Sequence, residues 1–140
     1  MAGWVTARNG LLVGLIAIFG VSTAHAAVLV SIPQAEWGCN LSDGKALQGI
    51  NAALISRGWI MTNRETKGHV VARILVRNKH TLVIDINYTA NTVDVAYKSS
   101  DNLNYEVKED GTIEIHKNAN RWMNNIRKDI LMQLAALCNF

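Results

Sequence analysis

From His69 to Lys98 apolar and polar residues alternate almost without a break. Only β-strands can use a two-residue period over such a length. Val70, Ala72, Ile74 and Val76 make one apolar set. Leu82, Ile84, Ile86 and Tyr88 make a second, and Val93, Val95 and Tyr97 a third. The pattern predicts strands over His69–Arg77 and Thr81–Thr89, with a third running from Val93 to Lys98. A short strand, Trp59–Thr62, precedes them, and Asn63–Gly68 turns the chain between.

The register follows from keeping each apolar set on one face. A two-residue turn at Asn78-Lys79 would oppose Val76 to Thr81 and mix the faces. A three-residue loop, Asn78-Lys79-His80, pairs Val76 with Leu82, Ile74 with Ile84 and Ala72 with Ile86. It also sets Arg73 opposite Asp85 on the outer face. A turn at Ala90-Asn91 then pairs Tyr88 with Val93, Ile86 with Val95 and Ile84 with Tyr97.

Helical periodicity appears on both sides of these strands. Ser42 is a natural cap, with Asp43 in the favourable first turn. Ala46, Leu47, Ile50, Ala53 and Leu54 then fall on one face, and Gly58 after Arg57 supplies a left-handed stop. Gly44 and Gly49 lower the intrinsic propensity, so this helix depends on packing. Near the end, Trp122, Met123, Ile126, Ile130, Leu134 and Leu137 form a second stripe. Asn118 or Asn120 is the expected cap, and Lys117, Arg121, Asn124 and Lys128 lie along a polar side. Between meander and helix, Tyr105–Val107 and Thr112–Ile115 flank the turn Glu109-Asp-Gly111 and suggest a small hairpin. Ala27–Asn40, with the only proline at Pro33, reads as an irregular lead-in. The expected architecture is α+β in two layers: helix, antiparallel meander, helix, with both helices on one face of the sheet.

The first 26 residues have the composition of a secretory leader. Arg8 is their only charge, Leu11–Phe19 is a short apolar run, and Ala24-His25-Ala26 offers small residues for cleavage after Ala26. Residues 27–140 then form one domain, periplasmic or secreted, with no apolar run of membrane-spanning length. An oxidising compartment lets Cys39 and Cys138 pair. The bond would close a loop worth roughly 4–5 kcal/mol of chain entropy. Both inferences agree, because helices side by side bring the two cysteines together. Ser31–Gly38 is too polar to lead a lipid-modified Cys39, and nothing resembles Cys-x-x-Cys.

A formal charge of +3 over the whole chain is too small for a nucleic-acid footprint. His69, His80 and His116 lie on separate elements without metal-ligand spacing, and no cofactor motif is present. Chemistry-bearing residues concentrate in Ser99-Ser-Asp-Asn-Leu103, Tyr105 and His116-Lys-Asn-Ala-Asn-Arg-Trp122. Ser99 or Ser100 with Asp101 and His116 has the residue types for acyl transfer, though without a nucleophile elbow. Asp101, Asn102, Tyr105, His116, Asn120 and Arg121 are the candidate ligand-binding residues. A helix N-terminus and the Arg121 guanidinium can both grip an anion. The alternative is structural: Asn118 and Asn120 cap, and His116 bonds across the loop to Asp101 or Tyr105.

One pattern runs through these segments. It comprises Arg57-Gly-Trp59, His80, Ile84-x-Ile-x-Tyr88, Tyr97-Lys-Ser-Ser-Asp-Asn-Leu-Asn-Tyr105 and Ile115-His-Lys-Asn-Ala-Asn-Arg-Trp122. From Leu47 to Leu134 it resembles a family of small exported proteobacterial proteins, many of them lipoproteins. That family carries a tyrosine where Ala119 stands, and many members bear a lipid-modified cysteine after the leader that this chain lacks. The resemblance implies export and no particular activity.

The outer sheet face is the other candidate. Val71, Leu75 and Val83 fall there, framed by Arg73, Arg77, Asp85 and Lys98. An apolar strip with a charged rim marks a contact surface. Val71, Arg73, Leu75 and Val83 are thus the expected interface to a second copy or an envelope partner. Together these features predict a non-enzymatic binding module of the cell envelope. A small hydrolase or ligand site at Ser99, Asp101, His116 and Arg121 is the alternative, and a purely structural envelope protein is a third.

Overall fold

The computed structural model describes residues 25–139. All but the last two residues of the expected leader therefore lie outside the described residues. In chain order the elements are β1 (Ala26–Val28), β2 (Ile32–Glu36), α1 (Asp43–Ser56), β3 (Trp59–Asn63), β4 (His69–Val76), β5 (His80–Tyr88), β6 (Thr92–Asp101), β7 (Glu106–Val107), β8 (Ile113–His116) and α2 (Lys117–Leu137). The fold is α+β. Five strands form one antiparallel sheet in the order β2-β6-β5-β4-β3, and three form a second in the order β1-β8-β7.

The alternating sets do what their period requires. Val70, Ala72, Leu82, Ile84, Ile86, Val93 and Val95 are buried in one cluster with Ala46, Ile50, Ala53 and Leu54 of α1. Ala119, Met123, Ile126, Ile130 and Leu134 of α2 complete it, so both helices cover the same face. Trp122 and Leu137, expected in the stripe, pack at its margin. Tyr88, Ile86 and Ile84 pair with Val93, Val95 and Tyr97 as their spacing requires.

The β4–β5 hairpin departs from expectation in register but not in facing. Its turn is centred one residue earlier, so Val76 pairs with His80, Ile74 with Leu82, Ala72 with Ile84 and Val70 with Ile86. Arg77 and Asn78 both take positive φ (57° and 53°), and the Lys79 amide donates to the Val76 carbonyl at 3.1 Å. Two consecutive left-handed residues are what the tightest hairpin turns need. Moving a turn's centre by one residue shifts every partner by two, which leaves the faces intact. Arg73 therefore opposes Val83, not Asp85. Asp85 is held instead by His69 Nε2 at 2.7 Å and by Lys98 Nζ at 3.8 Å.

The lead-in is not irregular. β1 pairs with β8 (Ala27 with Ile115, Val28 with Glu114), and β2 adds to the large sheet as an edge strand. Pro33 is tolerated there because an edge strand has a side that donates to no ladder. β6 also runs further than expected, taking Ser99–Asp101 out of the supposed loop. The small hairpin forms as β7 and β8, closed by Gly111 at φ 89°.

Ser42 caps α1 by accepting the Lys45 amide at 3.2 Å, and Gly58 ends it at φ 83°. Gly49 has a role beyond lowering propensity. A Cβ there would sit 2.6 Å from Leu134 Cδ2, so its absence lets α1 lie against α2. Arg57 after α1 grips the Asp129 carboxylate of α2 through Nε and an Nη. The disulfide Cys39–Cys138 ties the residues before α1 to the end of α2, with Cα atoms 5.8 Å apart.

Two stability measurements check this packing. Gly49→Val overpacks the helix contact and should cost about 1–3 kcal/mol in urea unfolding. An unchanged midpoint would mean that the helices do not approach this closely. Replacing both Cys39 and Cys138 by serine should remove roughly 4–5 kcal/mol, and a loss below 1 kcal/mol would contradict the loop-closure argument.

Candidate functional site

The polar cluster is used mainly to join elements. β6 carries a bulge at Lys98, because Val83 pairs with Ser99 while Ile84 pairs with Tyr97. The extra residue restarts the alternation. Ser100 then lies opposite Leu82 and within 2.8 Å of the Tyr97 hydroxyl, while Ser99 and Asp101 are exposed. Asn102 and Asn104 both take positive φ (61° and 56°), a conformation asparagine tolerates better than most residues. Between them Leu103 is buried, and its carbonyl accepts the His116 amide at 2.8 Å. The Asn102 carbonyl accepts a hydrogen bond from His80 Nδ1 at 2.8 Å, and its side-chain amide donates to the Lys79 carbonyl at 3.1 Å.

His116, not Asn118 or Asn120, caps α2. Its Nδ1 accepts the Asn118 amide at 3.1 Å. The reason is positional: β8 runs straight into the helix, so the last strand residue is also the cap. Asn118 Oδ1 instead accepts from Arg121 Nη2 at 2.8 Å, which keeps the exposed guanidinium on its own helix. Asn120 reaches back across the lead-in. It accepts the Val30 amide at 3.0 Å and donates to the Val28 carbonyl at 2.8 Å, clamping the chain between β1 and β2. Ala119 is fully buried between these two asparagines.

His116 lies between two further imidazoles. His25 stacks parallel to it with ring centroids 5.8 Å apart, and His80 lies tilted at 6.1 Å. Burial pushes the His116 pKa below the usual imidazole value. His25, His80, Lys117 and Arg121 push it further in the same direction. Because Nδ1 spends its lone pair on the cap, the neutral ring carries its proton on Nε2 and has no lone pair left for a metal. Among the described residues, no group of three His, Cys, Asp or Glu side chains could hold a metal ion. Nor does any hydrogen bond among them join His116 to Ser99, Ser100, Asp101 or Tyr105. The residue types for acyl transfer are present without the contacts that acyl transfer needs.

What the fold does build beside this cluster is a groove between the two sheets. Leu29, Val30 and Ile32 form one wall, Ala96, Tyr97 and Lys98 of β6 the other, with Tyr105 and Ile113 closing it. Its volume is about 520 Å³. Tyr97 and Tyr105 stack nearly parallel with centroids 5.0 Å apart. Burial raises the Tyr97 pKa, while its bond with Ser100 acts the other way. The β2–β6 ladder reaches only from Glu36–Thr92 to Ile32–Val95. Among the described residues, β6 from Ala96 onward is paired on its β5 side alone, and Ala96, Tyr97 and Lys98 line the groove.

The sequence-predicted site residues therefore scatter. Tyr105 lines the groove, and Asn120 bonds the backbone of Val28 and Val30 beside it. His116 and Asn102 belong to the joint between loop and helix, while Asp101 is exposed and Arg121 bonds Asn118 on its own helix. On the outer face Val71 is closed off at 8% exposure and Val83 is half-buried, whereas Leu75 and Arg73 stay exposed beside Ile60. Alternation puts Tyr97 on the inner face, and nothing in the sequence marks the bulge at Lys98 beside it. His25 falls within the leader-like segment, so composition gives no reason to place it beside His116. No protein-family model, curated protein or solved structure matches this chain.

The clamp is testable. Asn120→Ala should cost about 1 kcal/mol, because both backbone groups it releases can turn to water. Amide exchange at Val30 should accelerate while Ile86, at the centre of the large sheet, stays protected. Unchanged exchange at Val30 would show that the lead-in is held by its strand pairing alone.

Proposed function

We propose that this protein is a non-enzymatic binding module that works outside the cytoplasm and takes an extended chain segment into the groove between its two sheets. The observation that carries the reading is the open edge of β6 beside a groove lined by Leu29, Val30, Ile113 and the stacked Tyr97 and Tyr105. An unpaired strand edge offers a row of main-chain donors and acceptors, and an added strand satisfies them while alternate side chains fill the groove. The aromatic pair supplies a large, rigid contact surface at low conformational cost.

Export rests on the leader-like composition and on the disulfide, which persists in oxidising compartments. Among the described residues no helix is long and apolar enough to cross a membrane. Cleavage after Ala26 would remove His25 and the first residue of β1, leaving the Ala27–Ile115 and Val28–Glu114 pairs. The resemblance to small exported envelope proteins points the same way. A second reading places the contact on the outer face, favoured by the exposure of Ile60 (57%) and Leu75 (49%). That surface would serve a second copy of the chain or an envelope partner.

Capture from an envelope extract separates these readings when wild type is run beside Tyr105→Asp, Leu75→Asp and Arg121→Ala. A component held by all but Tyr105→Asp is expected. Loss with Leu75→Asp alone would move the contact to the outer face, and loss with Arg121→Ala alone to the start of α2. No specific capture by any form would overturn the binding reading.

A further inference from the structure

We propose that His116 is a proton-sensitive latch on this groove: protonating its ring uncaps α2 and loosens the wall formed by Leu29 and Val30. The inference rests on the groove reading for its functional meaning, but the latch itself is a property of the fold.

The two helices are capped by different chemistry. Ser42 holds the start of α1 through a hydroxyl that does not titrate between pH 4 and 9. His116 holds α2 through an imidazole lone pair. A protonated imidazole carries hydrogens on both nitrogens and can accept nothing. The Nδ1–H would then face the Asn118 N–H, donor against donor. The new charge would also sit at the positive end of a 21-residue helix.

The surroundings oppose protonation from every side. β5 contributes His80 and α2 contributes Lys117 and Arg121, which stay after cleavage, and the segment before β1 adds His25 in the uncleaved chain. On β8 itself the nearest carboxylate, Glu114, is engaged by Lys108 at 3.3 Å. Asp101 at the end of β6 makes no hydrogen bond to the ring among the described residues. The ring therefore titrates below its unfolded value of about 6.5. A base held neutral in the fold binds fewer protons than it does in the unfolded chain. Its contribution is complete above the unfolded pKa and is lost as pH falls through the depressed folded one.

The first turn of α2 transmits this loss to the groove. Asn120, one turn from the cap, holds Val28 and Val30 by their backbone atoms. Leu29 and Val30 form one wall of the groove. When the turn frays, the clamp loses its anchor and the wall can move. Cleavage after Ala26 would remove the His25 carbonyl that accepts the Lys117 amide at 2.9 Å, and the start of α2 would then rest on the His116–Asn118 bond.

Amide exchange on the purified protein, expressed as protection factors at pH 7.5 and 5.0, tests the latch without any ligand. Protection at Asn118 and Val30 should fall about tenfold at pH 5.0, the scale of a lost cap. Lys45, under the Ser42 cap, should not change. His116→Asn, an acceptor that does not titrate, should make Asn118 and Val30 indifferent to pH, and His116→Asp serves the same end if the asparagine form fails to fold. A flat wild-type profile overturns the latch. So does a variant that keeps the wild-type fall, since the fall would then not come from His116. Failure of capture at pH 7.5 would remove the groove reading and leave these exchange results untouched.

Discussion

The packing of α2 against two sheets at once is the constraint on which everything else depends. Its buried stripe, Ala119, Met123, Ile126, Ile130 and Leu134, lies in the same core as the large sheet and α1. Its first turn meets the small sheet, where β8 runs into it and Asn120 holds the lead-in. A single helix that serves both surfaces fixes their separation, and that separation is the groove. Gly49 and the Arg57–Asp129 pair set how closely α1 lies alongside, and the disulfide anchors the far end. The open space between the sheets is thus what remains once one rigid rod has been docked on both.

Much of this was legible because alternation and helical stripes report burial directly. The faces of β4, β5 and β6 follow from period two, and Ser42, Gly58 and the apolar residues of α1 mark that helix without ambiguity. The pairing of the two cysteines follows from helices lying side by side. Register was less accessible. Asn78 suits a left-handed position but Arg77 does not advertise one, and Asn78 belongs to both candidate turns, so composition did not separate the true turn from its neighbour. The lead-in strands were hidden for another reason. Their partners, β8 and β6, lie far along the chain, and a strand whose partner is remote shows no local turn signal.

The site was the least legible part, and the reason is physical. Asparagine, serine and histidine serve equally well as caps, turn formers and ligand contacts, because each role asks only for a hydrogen bond. Here Asn102 and Asn104 shape the loop, Asn120 clamps the backbone, and Ser100 partners Tyr97. What distinguishes a binding surface is space left unfilled, and that depends on a bulge at Lys98 and on a ladder that stops at Val95. Neither leaves a mark in composition.

The disulfide has a consequence for the order of events. The eight strands and two helices of the described residues are complete before Cys138 is reached in the chain. A polypeptide that emerges N-terminus first therefore exposes Cys39 long before its partner exists. The bond cannot guide early collapse or select the hairpin register. Noncovalent packing must bring the two ends together unaided, and oxidation then records the result. A thiol catalyst meeting this chain acts as an inspector: it seals the molecules whose helices have already docked and passes over those that have not.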